Sequence, residues 1–239
     1  MKILLLPFLL FLASCCATKC PLECSKCTVK CAAISDNSAV DDGFVNMFNG
    51  KDFSGWENPY DWGKFEWKDN EIHLTTVKRK FFLVTEKKYK DFILELEIKM
   101  PEGKSNSGVM FRCHKAKNKI FGYQAECDPS ARRWSGGLYD EGRRGWMNPT
   151  RDKKPKEGTA YSKNLSGAWD DAKLGALKRN DWNKYRIEVK GSEIKISING
   201  VLTTHVIDST DAEGYIGLQH HGEKGKIYRF RNVKIKELK

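Results

Sequence analysis

The chain has 239 residues, 31% charged and 11% aromatic. That suits one sizeable globular domain with at most a small appendage, and the ordinary glycine and proline content excludes collagen-like and disordered classes. The formal net charge of +11 comes from scattered lysines with no zinc-finger or other nucleic-acid motif among them. It reads as a solubilising surface and not as a nucleic-acid site, which leaves attraction to an anionic polymer or a membrane surface open.

The chain begins MKILLLPFLLFLASCC. Lys2 supplies a positive start, and the apolar run from Ile3 to Leu12 is too short to span a bilayer, so residues 1–14 are expected to be an export signal. Leu12-Ala13-Ser14-Cys15 is similar to a bacterial lipobox. It predicts lipidation of Cys15 and an envelope lipoprotein, periplasmic or at the cell surface, held by an anchor and not by a span. Ordinary cleavage near Ala17, leaving a soluble protein, is the alternative. Cys20, Cys24, Cys27 and Cys31 follow at spacings that place them on one face of a helix. An exported segment meets oxidising conditions, which favour disulfides, and the spacing matches no common zinc or iron–sulfur pattern. The run SDNSAVDDG then reads as a linker. The expected division is a cysteine-rich spacer over 15–42 and a folded domain over 43–239, with no obligate protein partner evident.

Within that domain, short alternating runs recur, among them KFEWKD, EIHLTTV, FILELEIKM, SGVMFRCH, FGYQAECD and GYIGLQHH. Such runs with turn signals between them predict an all-β antiparallel β-sandwich, a jelly roll. Lys190-Gly191-Ser192 and Asn199-Gly200 mark two hairpins, the second of type I′, so residues 182–208 form a three-stranded meander. Residues 149–181 lack alternation and read as a long loop with one helical turn near AWDDAKLGAL.

Alternation sorts the polar residues. In SGVMFRCH, Arg112 and His114 share a face opposite Val109, Phe111 and Cys113; in FGYQAECD, Gln124, Glu126 and Asp128 oppose Tyr123, Ala125 and Cys127. A turn near Asn118–Lys119, symmetric about residue 120, sets Cys113 opposite Cys127, His114 opposite Glu126 and Arg112 opposite Asp128. The cysteines are then buried thiols or a cross-strand disulfide. The polar face is either a site or a solvated surface of cross-strand ion pairs. In GYIGLQHHG the adjacent histidines point opposite ways, and His221, beside Gln219, is the one expected to face a cleft. The stretch WSGGLYDEGRRGWM from Trp134 follows the Glu126 strand and is expected to return Tyr139, Asp140, Glu141 and Arg143 to the same face as the cleft's second wall.

The segments FVNMFNGKDFSGW, SNSGVMFR, FGYQAECDPSARRWSGGLYDEGRRGW, WNKYRIEV and GYIGLQHHG occur in this order. Together they make the chain resemble the 3-keto-disaccharide hydrolase family, also described as 3-keto-glucoside 1,2-lyase and 3-keto-2-hydroxy-glucal hydratase domains, over roughly Phe44 to Leu238. The resemblance implies a concanavalin-like jelly roll and a carbohydrate substrate oxidised at C3. Such chemistry needs a base for the C2 proton, donors or a cation for the enolate, and an acid for the C1 leaving group. Among the residues present, Glu126 is the candidate base, with Asp128 orienting it. Arg112 and Arg143 are the candidate enolate contacts, and Tyr139 or His221 the acid. Gln124, Trp134, Asp140, Glu141, Trp146, Gln219 and His114 are candidate substrate contacts. A divalent metal on Asp128, Asp140, Glu141 and His221 is an alternative enolate stabiliser. Two rivals stay open. One is an ordinary glycosidase with an E-x-D-x-x-E strand, although residue 131 is alanine. The other is a non-catalytic, lectin-like carbohydrate-binding module.

Overall fold

A computed structural model describes residues 42–77, 79–149 and 163–239 of the chain. The expected export signal, Cys15 and the four clustered cysteines lie outside the described residues. The strands are β1 (Val45–Asn46), β2 (Trp56–Glu57), β3 (Lys64–Lys68), β4 (Glu71–Thr75), β5 (Phe81–Thr85), β6 (Phe92–Lys99), β7 (Ser107–Ala116), β8 (Lys119–Cys127), β9 (Leu138–Glu141), β10 (Gly145–Asn148) and β11 (Lys163–Asn164). After a one-turn helix α1 (Asp171–Leu174) come β12 (Trp182–Lys190), β13 (Glu193–Ile198), β14 (Val201–Ile207), β15 (Tyr215–His220) and β16 (Ile227–Glu237).

They form two antiparallel sheets. One runs β11-β14-β13-β12-β6-β16-β4-β3, with β1 on β16; the other runs β10-β9-β8-β7-β15-β5-β2. This is the expected sandwich. Alternation explains it locally: Leu94, Leu96 and Ile98 of β6, Ile187 and Val189 of β12, and Ile194 and Ile196 of β13 are buried from the first sheet. Val109, Phe111, Tyr123, Ala125 and Leu218 meet them from the second. Each large apolar side chain so buried contributes about 1.5–3 kcal/mol, which repeated across both sheets holds the layers together. The β12–β13–β14 meander is as expected, and Asn199 and Gly200 take φ of +50° and +86°, the type I′ turn. The helical turn in AWDDAKLGAL is α1, capped by Asp170, whose side chain accepts from the Lys173 backbone N–H.

The β7–β8 hairpin departs from expectation. Ser107 pairs with Cys127, Gly108 with Glu126, Met110 with Gln124 and, past an irregularity, His114 with Phe121. The turn is Lys117–Asn118, with Asn118 at φ +58°, so both strands run further toward the tip than the alternating apolar residues suggested. The irregularity between Met110 and His114 also breaks the parity on which the cysteine pairing rested. Cys113 ends in an outer-face cluster with Phe82, Val84, Met110 and Ile120, whereas Cys127 lies in the sandwich core. They are free, buried thiols and no disulfide links them.

Arg112 sits in that irregularity at φ +43° and turns away from the expected polar face. It is buried, and its Nε donates to the Lys90 carbonyl at 2.7 Å. Nη1 donates to the carbonyls of Gly191 at 2.7 Å and Asp211 at 3.1 Å, and Nη2 to Asp91 Oδ1 at 2.8 Å. The guanidinium thus ties β7 to the β5–β6 and β12–β13 turns. It is a clamp between sheets, and burial pulls its pKa down against the opposing pull of Asp91.

Candidate functional site

The outer face of the second sheet has two halves. One is the small apolar cluster around Met110, against which Tyr60 and Tyr215 pack. The other is a polar cleft of about 240 Å³, below the roughly 300–1,000 Å³ of drug-sized sites. Strand pairing builds it. Val84, Gly217, Met110, Gln124, Tyr139 and Trp146 form one straight row across β5, β15, β7, β8, β9 and β10. Beside that row lie Gln219, Gly108 and Glu126.

Glu126 lines the cleft and is 4% exposed. Its Oε1 accepts from Gln124 Nε2 at 2.5 Å. Burial, and then the neighbouring Asp128 carboxylate, pushes its pKa up to about 8; hydrogen bonds from Asn106 and Gln124 oppose the shift. Gln124 can lie across β7 only because residue 108 is glycine: a Cβ there would stand 2.6 Å from Gln124 Nε2. Gln219 Nε2 in turn donates to Gln124 Oε1 at 3.3 Å.

The opposite wall is aromatic and charged. Tyr139 and Trp146 meet edge to face at 5.4 Å, and Trp134 meets Trp146 the same way at 4.9 Å. Burial and the nearby Glu141 carboxylate raise the Tyr139 pKa, so its phenol stays a proton donor. Glu141 Oε1 accepts from Lys80 Nζ at 2.6 Å. Arg132, held by Asp128 Oδ2 at 2.9 Å, sets its guanidinium carbon 5.1 Å from the Trp146 ring centre. His221, half exposed, points its Nδ1 to Glu223 at 2.9 Å. His220 is buried on the opposite side between Phe81 and Tyr228, as expected from parity.

Of the expected residues, Glu126, Gln124, Tyr139, Glu141, Trp146, Gln219 and His221 line this cleft, with Trp134 packed behind Trp146. Five do not. Arg112 is the clamp described above. His114 bonds Asp211 through Nε2 at 2.7 Å and stacks on Phe121. Asp128 lies one residue beyond β8, where strand parity ends, and turns to the Ser130 N–H and to Arg132. Asp140 stands between Tyr139 and Glu141 on β9, so alternation sends it to the other face, fully buried. There it accepts from Arg143 Nε at 2.8 Å and from Arg144 Nε. Arg143 continues to Asp211, and Arg144 to Asp208 at 2.8 Å. This network fastens the β9–β10 hairpin to the β14–β15 connection and holds the aromatic wall in place.

Lys80, Asn106 and Arg132 also line the cleft and escaped sequence reasoning. For two of them parity carried the signal. Lys80 precedes Phe82 and Val84 on the outer face of β5, and Asn106 precedes Gly108 and Met110 on that of β7. Arg132 is placed by Asp128 through a loop, which alternation does not reach.

The expected metal donors do not converge: Asp140 serves two arginines, Asp128 serves Arg132, Glu141 serves Lys80 and His221 serves Glu223. Among the described residues, no three His, Cys, Asp or Glu side chains gather in metal-binding geometry. No described helix is long and apolar enough to cross a membrane.

The fold has known counterparts. The carbohydrate binding module CBM66 from Bacillus subtilis superposes with a TM-score of 0.52 at 17% identity, over 77% of this chain and 96% of that one. A Parabacteroides distasonis protein proposed to be a glycosyl hydrolase gives 0.51 at 21% identity, over 82% and 99%. A Bacillus subtilis protein of galectin-like fold gives 0.53 at 14% identity, over 77% and 90%. At such identities the likeness is one of fold. No curated protein matches the chain. Residues 43–236, almost the whole of the β-sandwich with its cleft, match the profile of the 3-keto-alpha-glucoside-1,2-lyase-like domain, and the chain belongs to that family.

Proposed function

We propose that the domain cleaves 3-keto-glucosides. The observation that carries this reading is Glu126: a carboxyl buried in the polar cleft, with its pKa pushed up to about 8. A base must be strong to take a proton from carbon, and a carboxylate made basic by burial meets that need near neutral pH. Glu126 removes the C2 proton, and the C–H electrons pass through the new C2–C3 double bond onto the C3 oxygen. Lys80 and Arg132 are the cations nearest to receive that charge, replacing Arg112 and Arg143 in the role. The C1–O bond then breaks as the electrons return, and the departing oxygen takes a proton from Tyr139 or His221. Water adds across the unsaturated sugar, hydroxide at C1 and proton at C2, so that the sum is hydrolysis. Trp146 and Tyr139 offer ring faces for the sugar.

The test is incubation of the purified domain with 3-keto-trehalose or another 3-keto-glucoside. Loss of the ketosugar in wild type but not in Glu126→Gln supports the reading; no turnover of any ketosugar sinks it. The aromatic wall supports a second reading, a non-catalytic carbohydrate-binding module, which predicts binding of unoxidised glycans unchanged by Glu126→Gln. A divalent metal would take a donor set other than the three acids and one histidine first expected, and chelation leaving turnover unchanged removes it from the scheme.

We further propose that residues 1–14 are an export signal, that Cys15 carries a lipid, and that 15–42 is a cysteine-rich spacer between the bacterial envelope and the domain. A mass spectrum of the mature N-terminus with an unmodified chain starting at Thr18 rules the lipid out.

A further inference from the structure

Gln219 is 1% exposed, lines the cleft, and its Oε1 has no hydrogen-bond partner among the described residues. Its backbone is pinned, because the Gln219 carbonyl accepts from Ser107 Oγ at 2.8 Å. A buried amide oxygen left unpaired is costly, and native structures rarely tolerate one without a ligand or water. Its other end is not free either. Gln219 Nε2 donates to Gln124 Oε1, and Gln124 Nε2 donates to Glu126 Oε1. Each amide has one donating and one accepting end, so the chain of two amides has a direction. When Glu126 accepts, Gln219 must present an acceptor. If Glu126 donated instead, both amides would turn, and Gln219 would present a donor.

We infer that Gln219 is the specificity-determining residue of the cleft: it accepts a hydrogen bond from a hydroxyl of the sugar ring and, through Gln124, couples that contact to the ionisation of Glu126. A ring hydroxyl that donates to Gln219 fixes the chain in the direction that favours the Glu126 carboxylate. Binding of the sugar therefore arms the base. Gly108 is part of the device, since a Cβ there would stand 2.6 Å from the Gln124 amide that links the other two. The inference rests on the sugar-processing reading of this cleft, but its test needs no turnover.

The other titratable or charged groups facing Glu126 are Asp128 beyond its own strand, Tyr139 and Glu141 of β9, Lys80 ahead of β5, Arg132 of the following loop and His221 after β15. None of them lies in the amide chain, so a variant that breaks the chain leaves them in place.

The experiment is an NMR titration of the Glu126 side-chain carboxyl carbon, in the presence and absence of methyl glucoside, an unoxidised and unreactive probe. It is repeated with His221→Ala as background, so that the cleft's imidazole does not contribute to the curve. In wild type the midpoint falls by about one pH unit on adding the glucoside, a tenfold change in the ionisation constant. In Gln219→Met it does not move. Gly108→Ala, which keeps Gln219 but displaces Gln124, gives the same loss of coupling. An equal shift in wild type and both variants, or no shift in wild type at any glucoside concentration, overturns the inference. A shift confined to wild type in a protein that turns over no ketosugar leaves the coupling standing and removes the lyase reading alone.

Discussion

Replacing Glu126 by glutamine is expected to stabilise the protein while abolishing its chemistry. In the folded chain Glu126 keeps its proton up to about pH 8, whereas its ordinary value is 4.5. Between those values the native state binds more protons than the unfolded state, so stability falls as pH rises through this window. For shifts of this size the penalty is about 1 kcal/mol at pH 5 and about 3 kcal/mol at pH 7. Glutamine is neutral, fills the same space, and keeps an oxygen for the Gln124 amide. Urea unfolding followed by tryptophan fluorescence reads the difference. Glu126→Gln gains roughly 1 kcal/mol at pH 5 and roughly 3 kcal/mol at pH 7 over wild type. A variant less stable than wild type at pH 7, or a gain that is the same at both pH values, refutes the view that Glu126 is a strained, buried acid.

Arg112→Met takes the guanidinium donors from three carbonyls and leaves the Asp91 carboxylate only the Gly191 backbone N–H, and a loss of about 3–5 kcal/mol is expected in the same unfolding assay; a loss under about 1 kcal/mol would return Arg112 to the surface role that its strand parity suggested. Asp140→Asn removes the charge on which Arg143 and Arg144 converge. It should lower stability by about 2–4 kcal/mol and raise KM more than it lowers kcat, because it loosens the aromatic wall and not the base; unchanged KM contradicts the tie. Burial raises the Cys113 thiol's pKa and pushes that of Cys127 up to about 12, so neither forms thiolate at neutral pH. Peptide mapping after treatment of the native protein with a thiol reagent should find both unmodified, and rapid labelling of either would contradict their burial.

Two-residue periodicity made much of this molecule legible in advance. It separated Gln124 and Glu126 from Tyr123 and Ala125, and set His221 apart from His220. The meander around Asn199-Gly200 was readable because both strands alternate cleanly and the turn residues have one preferred conformation. What alternation misses are the places where it is interrupted. The irregularity at Arg112 reverses a side chain that parity assigned to the cleft, and only the carbonyls of Lys90, Gly191 and Asp211, distant in sequence, explain why. Asp140 shows a different limit. Its own parity pointed away from Tyr139 and Glu141, but an acidic pair beside two arginines looked like one cluster. The arginines in fact follow Asp140 to the far face, where Asp208 and Asp211 wait. Lys80 and Asn106 lay one step before recognisable strands, the first in a basic run and the second in a turn-like Gly-Lys-Ser-Asn stretch, and both hid the continuing parity.

As the proposed base, the Glu126 carboxylate must set the pH dependence of the reaction. Measuring kcat/KM for a 3-keto-glucoside across pH shows whether it does. The rate should rise with pH through a midpoint near 8, the value to which burial and Asp128 push the Glu126 carboxyl, and Glu126→Gln should show no measurable turnover at any pH. Full activity in Glu126→Gln, or a rate that falls as pH rises from 6 to 8, would contradict that role.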